Sequence, residues 1–196
     1  MGRPRSEAAR QAALTATVDL LLEQGVEGVT FDEVADRSGV AKTTLYRHFG
    51  SKPKMVVEAA FSCFVEHATP DTGDLANDLR VLFDKSGSVE EELRIPDVQR
   101  ALLAASDHDP ELRELVDAMS DERRRPIRTV LQLAQLRGEI GRHVDLDTAV
   151  AMLIGPFILR RMIDRQPVTP EFRQAILDNA IVSLRATATR ASSAAS

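Results

Sequence analysis

Tryptophan is absent, tyrosine occurs once, and aromatic residues make up only 4% of the 196 positions. A protein that holds single-stranded nucleic acid regardless of sequence stacks bases on aromatic platforms, and this chain has too few for that. The single cysteine, Cys63, excludes an internal disulfide; in its apolar helical stretch it reads as a small core residue. No run approaches the roughly 18 apolar residues of a membrane span, and the N-terminus lacks the apolar core of a signal peptide. A soluble, cytoplasmic protein with no membrane partner is therefore expected. Strand signals are missing too, because no alternating apolar run is bounded by hairpin turns.

Material for catalysis is equally scarce. His48, His67, His108 and His143 are scattered, and no spacing suggests a metal site. His108, between Asp107 and Asp109, reads as a loop residue before a helix cap. Ser192 and Ser193 have no base nearby, and no glycine-rich phosphate loop follows a strand. The expectation is no enzyme, no metal and no cofactor.

What the chain does have is a cationic run. Arg37, Lys42, Arg47, Lys52 and Lys54 fall in one stretch without a single acid, interleaved with Thr43, Thr44, Tyr46 and Ser51. The whole chain carries a net charge of -5, yet residues 1–54 hold eight basic and seven acidic side chains. A local cationic patch followed by an acidic body fits a small DNA reader joined to a larger domain that does not bind DNA. Cations and hydroxyls contact phosphate, and Arg and Lys also read guanine edges.

The flanks give that run the form of a helix-turn-helix. Thr30-Phe31-Asp32-Glu33 is a capping box, with Val29 and Val34 at the positions of a hydrophobic staple. A short helix then runs to about Ser38 and stops at Gly39. The next helix covers Lys42 to Phe49. Leu45 and Phe49, at i and i+4, turn inward and leave Lys42, Thr43, Thr44, Tyr46, Arg47 and His48 outside. Such a polar, basic second helix suits a major groove.

The rest reads as all-α. A first helix runs from about Ser6 to Gln24 and ends at Gly25, and a fourth starts from a Ser51 cap and continues to about Ala68. A loop over residues 69–73 precedes a helix carrying Leu75, Leu79, Leu82 and Phe83. Another follows Pro96, from about Asp97 to Ser106. Pro110 opens a long helix to Arg137, with Pro126 predicting a kink or break. Asp145 caps an apolar helix from Leu146 to Arg165, and Thr169 caps the last one, through Leu184. The wide apolar faces of these two, about 146–165 and 170–185, predict homodimerisation. The small, polar end is expected to be disordered. By residue, the expected organisation is an arm and helix-turn-helix domain at 1–54, a helical effector-binding and dimerisation domain at 55–188, and a tail at 189–196.

Gly2-Arg3-Pro4-Arg5, Glu23-Gln24-Gly25, Val29-Thr30-Phe31, Val34-Ala35, Ser38-Gly39-Val40 and Thr44-Leu45-Tyr46-Arg47-His48-Phe49 together resemble the N-terminal domain of the TetR family of transcriptional repressors. Arg137-Gly138-Glu139-Ile140 and Gly155-Pro156-Phe157 are similar, more weakly, to one TetR subgroup. The resemblance implies an all-α repressor that dimerises on double-stranded DNA at a palindromic operator and is released by an unknown small-molecule effector. It implies phosphate contacts for Thr30, Tyr46 and His48, and base-facing positions for Lys42, Thr43, Thr44 and Arg47. Lys52 would clamp the backbone, and Arg3 and Arg5 would form a flexible minor-groove arm. Ala41 departs from the pattern, since many relatives carry a serine there. Phe83, Leu102, Leu115, Met119 and Phe157 are the candidates for lining an effector pocket, each equally suited to the core. An architectural DNA-binding protein, an activator and a protein-interaction module are the competing readings.

Overall fold

The computed structural model describes the backbone of residues 3–63, 68–84 and 89–193, and side chains within 6–63, 68–84 and 96–188. Among these residues there are nine α-helices and no strand: α1 (Arg3–Gly28), α2 (Phe31–Ser38), α3 (Lys42–Phe49), α4 (Lys52–Ser62), α5 (Leu75–Phe83), α6 (Val89–Ser106), α7 (Pro110–Arg137), α8 (Leu146–Ile158) and α9 (Pro170–Ser193). The all-α reading of the sequence is correct. No helix among the described residues is long and apolar enough to cross a membrane.

Packing divides the chain into two compact units, Met1–Val65 with Val89–Asp121, and Glu66–Ser88 with Glu122–Ser196. This is not a linear cut at residue 54. The core of the first unit joins Leu14, Leu21, Leu45, Phe49 and Met55 to Leu102, Leu112 and Val116 from α6 and α7. In the second unit Leu75, Leu79, Leu131, Ile140, Leu153 and Leu177 are buried together. Segments far apart in sequence share each core because apolar faces, not chain order, decide what packs.

Several helix ends differ from expectation. α6 begins at Val89, so Pro96 lies inside it, and α7 runs unbroken through Pro126. Tertiary packing outweighs the loss of one backbone donor at each position. α9 extends to Ser193, so the expected tail is helical there; the alanines of Ala186-Thr187-Ala188 favour that state. α1 starts at Arg3, which makes the backbone of Arg3 and Arg5 helical rather than a flexible arm, with Pro4 tolerated in the first turn. Its stop is as expected: Gly25 leaves helical geometry at φ 71°, ψ −175°.

The helix expected to run from Leu146 to Arg165 is interrupted. α8 ends at Ile158 and a π-helical turn follows, Leu159–Ile163. The Leu159 amide still donates four residues back to Gly155, but the register then slips, and the Asp164 amide donates five residues back to Leu159 at 3.0 Å. Beside the turn, Phe83 stacks on Phe157 (centroids 5.3 Å apart) and Phe172 meets Phe157 edge-on. The Arg160 guanidinium lies 4.4 Å over the Phe172 ring and donates to the Pro167 carbonyl at 2.7 Å.

Arg137-Gly138-Glu139-Ile140 ends α7 and anchors the second unit. Gly138 sits at φ 76°, its amide bonds to Gln135, and the Glu139 amide reaches back to Ala134, the paired bonds of a Schellman motif. Arg137 donates to Glu139 at 2.7 Å and to the fully buried Asp78 at 3.1 Å. Asp78 also accepts from the Thr72 amide and hydroxyl at 2.6 and 2.8 Å. Glu139 in turn accepts from the Leu75 amide at 2.9 Å, capping α5. Burial works against the Glu139 carboxylate, but this amide and the guanidiniums of Arg137 and Arg185 outweigh it and hold its pKa below the usual range.

Removing one member of a buried ion pair leaves an uncompensated charge inside. Arg137→Ala is therefore expected to cost about 3 kcal/mol, the low end for such pairs because the guanidinium is partly exposed. Urea denaturation checks this; a loss below about 0.5 kcal/mol would mean Thr72 alone satisfies Asp78.

Candidate nucleic-acid interface

The helix-turn-helix is built by caps and two anchors. The Thr30 hydroxyl accepts from the Glu33 amide at 3.1 Å, which starts α2 and leaves the hydroxyl proton free to donate elsewhere. Val29 and Val34, the expected staple, are both fully buried. Gly39 ends α2 in the left-handed region at φ 70°, its amide bonded to Ala35. α3 follows with Leu45 and Phe49 buried in the core of the first unit. The opposite side, Lys42, Thr43, Tyr46 and Arg47, is exposed, and Thr44 and His48 are half-buried. Ala41 provides no side-chain cap, so the first amides of α3 lack one.

The acid-free run is not acid-free in space. Asp32, from the first turn of α2, places its two carboxylate oxygens 2.7 and 2.8 Å from Lys42 Nζ. This hydrogen bond is the main reason the Lys42 ammonium is held above its ordinary pKa. Arg37 makes a two-pronged bond to Glu23 on α1, 2.7 Å on each prong, which raises the pKa of the arginine and lowers that of the glutamate. Lys52 Nζ donates to the Glu27 carbonyl at 3.3 Å, and Ser51 faces Glu111 at 3.2 Å. Arg47 has no partner among the described residues.

Tyr46, the only tyrosine, lies flat on Phe31, with ring centroids 4.0 Å apart and planes 24° apart. Its position is therefore fixed by α2 while 48% of it stays exposed. His48 Nε2 is 3.4 Å from the Ser6 hydroxyl on α1. Thr30, Lys42, Thr43, Thr44, Tyr46, Arg47, His48 and Lys52 thus sit on or beside α3, whereas the side chains of Arg3 and Arg5 lie outside the described residues. Phe31 and Asp32 are the members of this surface that the sequence pattern passes over. Helical spacing shows which way a side chain points, not which neighbouring helix it meets.

The five apolar pocket candidates are divided between the two units. Leu102, Leu115 and Met119 belong to the core of the first unit, while Phe83 and Phe157 stack in the second. A cavity of about 390 Å³ in the first unit is lined by other residues, among them Ser106, His108, Arg113 and Glu114. Among the described residues no group of histidine, cysteine and carboxylate side chains could hold a metal ion.

An all-α chain with capped α2, a glycine turn and an exposed polar α3 defines a helix-turn-helix DNA-binding protein. Residues 13–59 match the domain described as bacterial regulatory proteins, tetR family, and residues 69–180 match the tetracyclin repressor-like C-terminal domain. The protein belongs to the TetR family and is a DNA-binding transcriptional regulator. It is 28% identical to the HTH-type transcriptional regulator YdeS of Bacillus subtilis over 196 residues, covering 95% of this chain and 94% of that one. An HTH-type regulator of Mycobacterium tuberculosis is 32% identical over 171 residues, 86% of this chain and 84% of its own. The solved TetR-family regulator SCO0332 is 29% identical with a TM-score of 0.60, over 88% of this chain and 96% of that one. A Saccharomonospora viridis protein assigned as a transcriptional regulator, solved in complex with choline, shares the fold at 20% identity and a TM-score of 0.56, over 88% and 95%. The family is one of regulators rather than enzymes.

Gly39 sets the angle between α2 and α3. A methyl group added there meets nothing within 4 Å, so any cost lies in the left-handed backbone alone. Gly39→Ala is expected to cost about 1 kcal/mol, and Gly39→Asn less, because asparagine tolerates that region. Thermal unfolding of both variants checks the order, and equal stabilities would contradict it.

Proposed function

We propose that this regulator is a homodimeric repressor that reads a palindromic operator with two copies of α3 and is released by a small-molecule effector. The observation that carries the reading is α3 itself: an exposed face of lysine, arginine and hydroxyls on a helix anchored by Leu45 and Phe49. Two such helices, about 34 Å apart across a two-fold axis, would enter successive major grooves on one face of the duplex. Lys42, Thr43, Thr44 and Arg47 take the base-facing role. Thr30, Tyr46, His48 and Lys52 take the phosphate-contacting role, and Arg3 and Arg5, at the start of α1, would enter the minor groove.

The dimer would form through α8 and α9. Met152, Leu159 and Ile163 are exposed at 51, 53 and 71%, and Val182 on α9 at 70%. Exposed Ala175 and Asn179 keep the face of α9 near Val182 small enough for close approach. Apolar side chains this open are what a partner helix pair would cover. The effector would bind among the helices of residues 72–165. A structure of this fold with choline bound supports the principle that the fold can hold a small molecule, without identifying the ligand here. Release requires that the effector bind the non-DNA-binding conformation better, and by linkage DNA weakens effector binding by the same factor.

The reading is tested by incubating the purified protein with fragments of its own genome at near-physiological salt and sequencing what it retains. A few sites sharing one inverted repeat are the expected result. Broad retention without a motif would favour an architectural protein, and no retention by folded protein would contradict the reading.

On the recovered operator, Arg47→Ala should relax preference at one base pair, costing roughly 1–3 kcal/mol there. Lys52→Ala should weaken binding to every sequence alike and reduce the salt slope by about one. Uniform loss for Arg47→Ala, or an unchanged slope for Lys52→Ala, would reverse the assigned roles. Val182→Asp should weaken self-association by about tenfold or more, because a carboxylate would be buried in the interface. Sedimentation at a series of concentrations checks this, with the helical circular dichroism unchanged.

A further inference from the structure

The two cations on the reading face are held differently. Arg47 projects without a partner among the described residues, whereas Lys42 Nζ is 2.7 and 2.8 Å from the two oxygens of Asp32. One turn further along α3, Tyr46 lies on Phe31. Phe31 and Asp32 are neighbours in the first turn of α2, and Lys42 and Tyr46 are i and i+4 on α3. The same dipeptide therefore grips two successive turns of the reading helix. The ring stack sets the separation, and the carboxylate then fixes where the ammonium sits.

Lys42 and Asp32 are 44% and 72% exposed, so the pair adds little to stability, and its consequence has to be sought in binding. A free lysine on this face would swing to any phosphate within reach, which adds affinity without sequence information. A lysine already on a carboxylate has its charge cancelled toward phosphates and its direction set. An ammonium carries three donor protons, so at least one is left for a base acceptor such as guanine O6 or N7.

Resting on the proposed role of α3, we infer that Asp32 is a positioning residue that determines specificity by keeping Lys42 on its carboxylate while the lysine donates to a base edge. A simple competition, in which Lys42 leaves Asp32 to reach DNA, behaves differently. Breaking the pair would then raise affinity for the operator at least as much as for random sequence, and no selectivity would be lost. Only a pair that persists in the complex converts the lysine from a phosphate seeker into a base reader.

The test uses the full-length protein, its captured operator and an unrelated duplex of equal length, titrated across a salt series. Asp32→Asn is expected to raise affinity for the unrelated duplex several-fold without a matching rise on the operator, so that the ratio of the two falls by about fivefold or more. The salt slope on the unrelated duplex should steepen by about 0.9, one additional phosphate neutralised. Asp32→Glu should keep most of the ratio, and in a Lys42→Ala background Asp32→Asn should leave it unchanged. An equal rise on both duplexes would make Asp32 a mere repeller of phosphate and overturn the inference, as would an unchanged ratio. The underlying reading is tested separately by Lys42→Ala alone. Undiminished operator affinity in that variant would remove Lys42 from the base-reading set whatever Asp32→Asn does. Thermal midpoints within a few degrees of the parent exclude misfolding as the cause.

Discussion

The reading surface depends on the burial of two side chains. α3 is eight residues long, and a helix that short does not persist by itself in water. Leu45 and Phe49, 0% and 3% exposed, hold it in place by joining the core shared with α1, α2 and α4. Burying two side chains of this size contributes roughly 3–6 kcal/mol, enough to offset the cost of ordering a short helix with no side-chain cap. The outward face of α3 is then presented at a fixed orientation, because the inward face has no alternative place to go. The stack of Tyr46 on Phe31 and the pair of Lys42 with Asp32 refine an orientation that the core has set.

How much of this could be read from the sequence follows the range of the signal. Caps and glycine stops are local chemistry, and Thr30, Gly39, Ser51, Asp145 and Thr169 all sit where their type and spacing suggest. Proline marks the starts of α7 and α9 at Pro110 and Pro170, but it failed as a marker of breaks because its penalty is also local, about 3 kcal/mol, and a packed helix absorbs it. Pro96 is buried inside α6 and Pro126 lies within α7. Pro156 also lies within its helix; a π-helical turn follows from Leu159, with Arg165 in a left-handed conformation at φ 54° beyond it. Ion pairs between elements were invisible for the opposite reason. Asp78 and Arg137 are 59 positions apart, and nothing near either residue announces the other.

The candidate site shows the same limit at shorter range. An acid-free run from Arg37 to Lys54 marks the candidate interface as cationic in sequence. In space, Glu23 and Asp32 reach into it from outside the run. The pattern could therefore name the cations but not say which of them are committed to a carboxylate. Arg37 is tied by its two-pronged bond to the body of the domain, and Arg47 is open.

A chain of net charge −5 can still bind DNA, because what matters is the charge that the phosphates see. At physiological ionic strength fields decay over about 8 Å, so carboxylates several side-chain layers away are largely screened. Residues 1–54 carry eight basic side chains against seven acidic ones, and the cations concentrate on and after α3 while Glu7, Asp19 and Glu23 lie on α1. Acidic surface away from α3 would disfavour association in wrong orientations. Base reading by α3, as proposed, is served by side chains whose directions are set before DNA arrives.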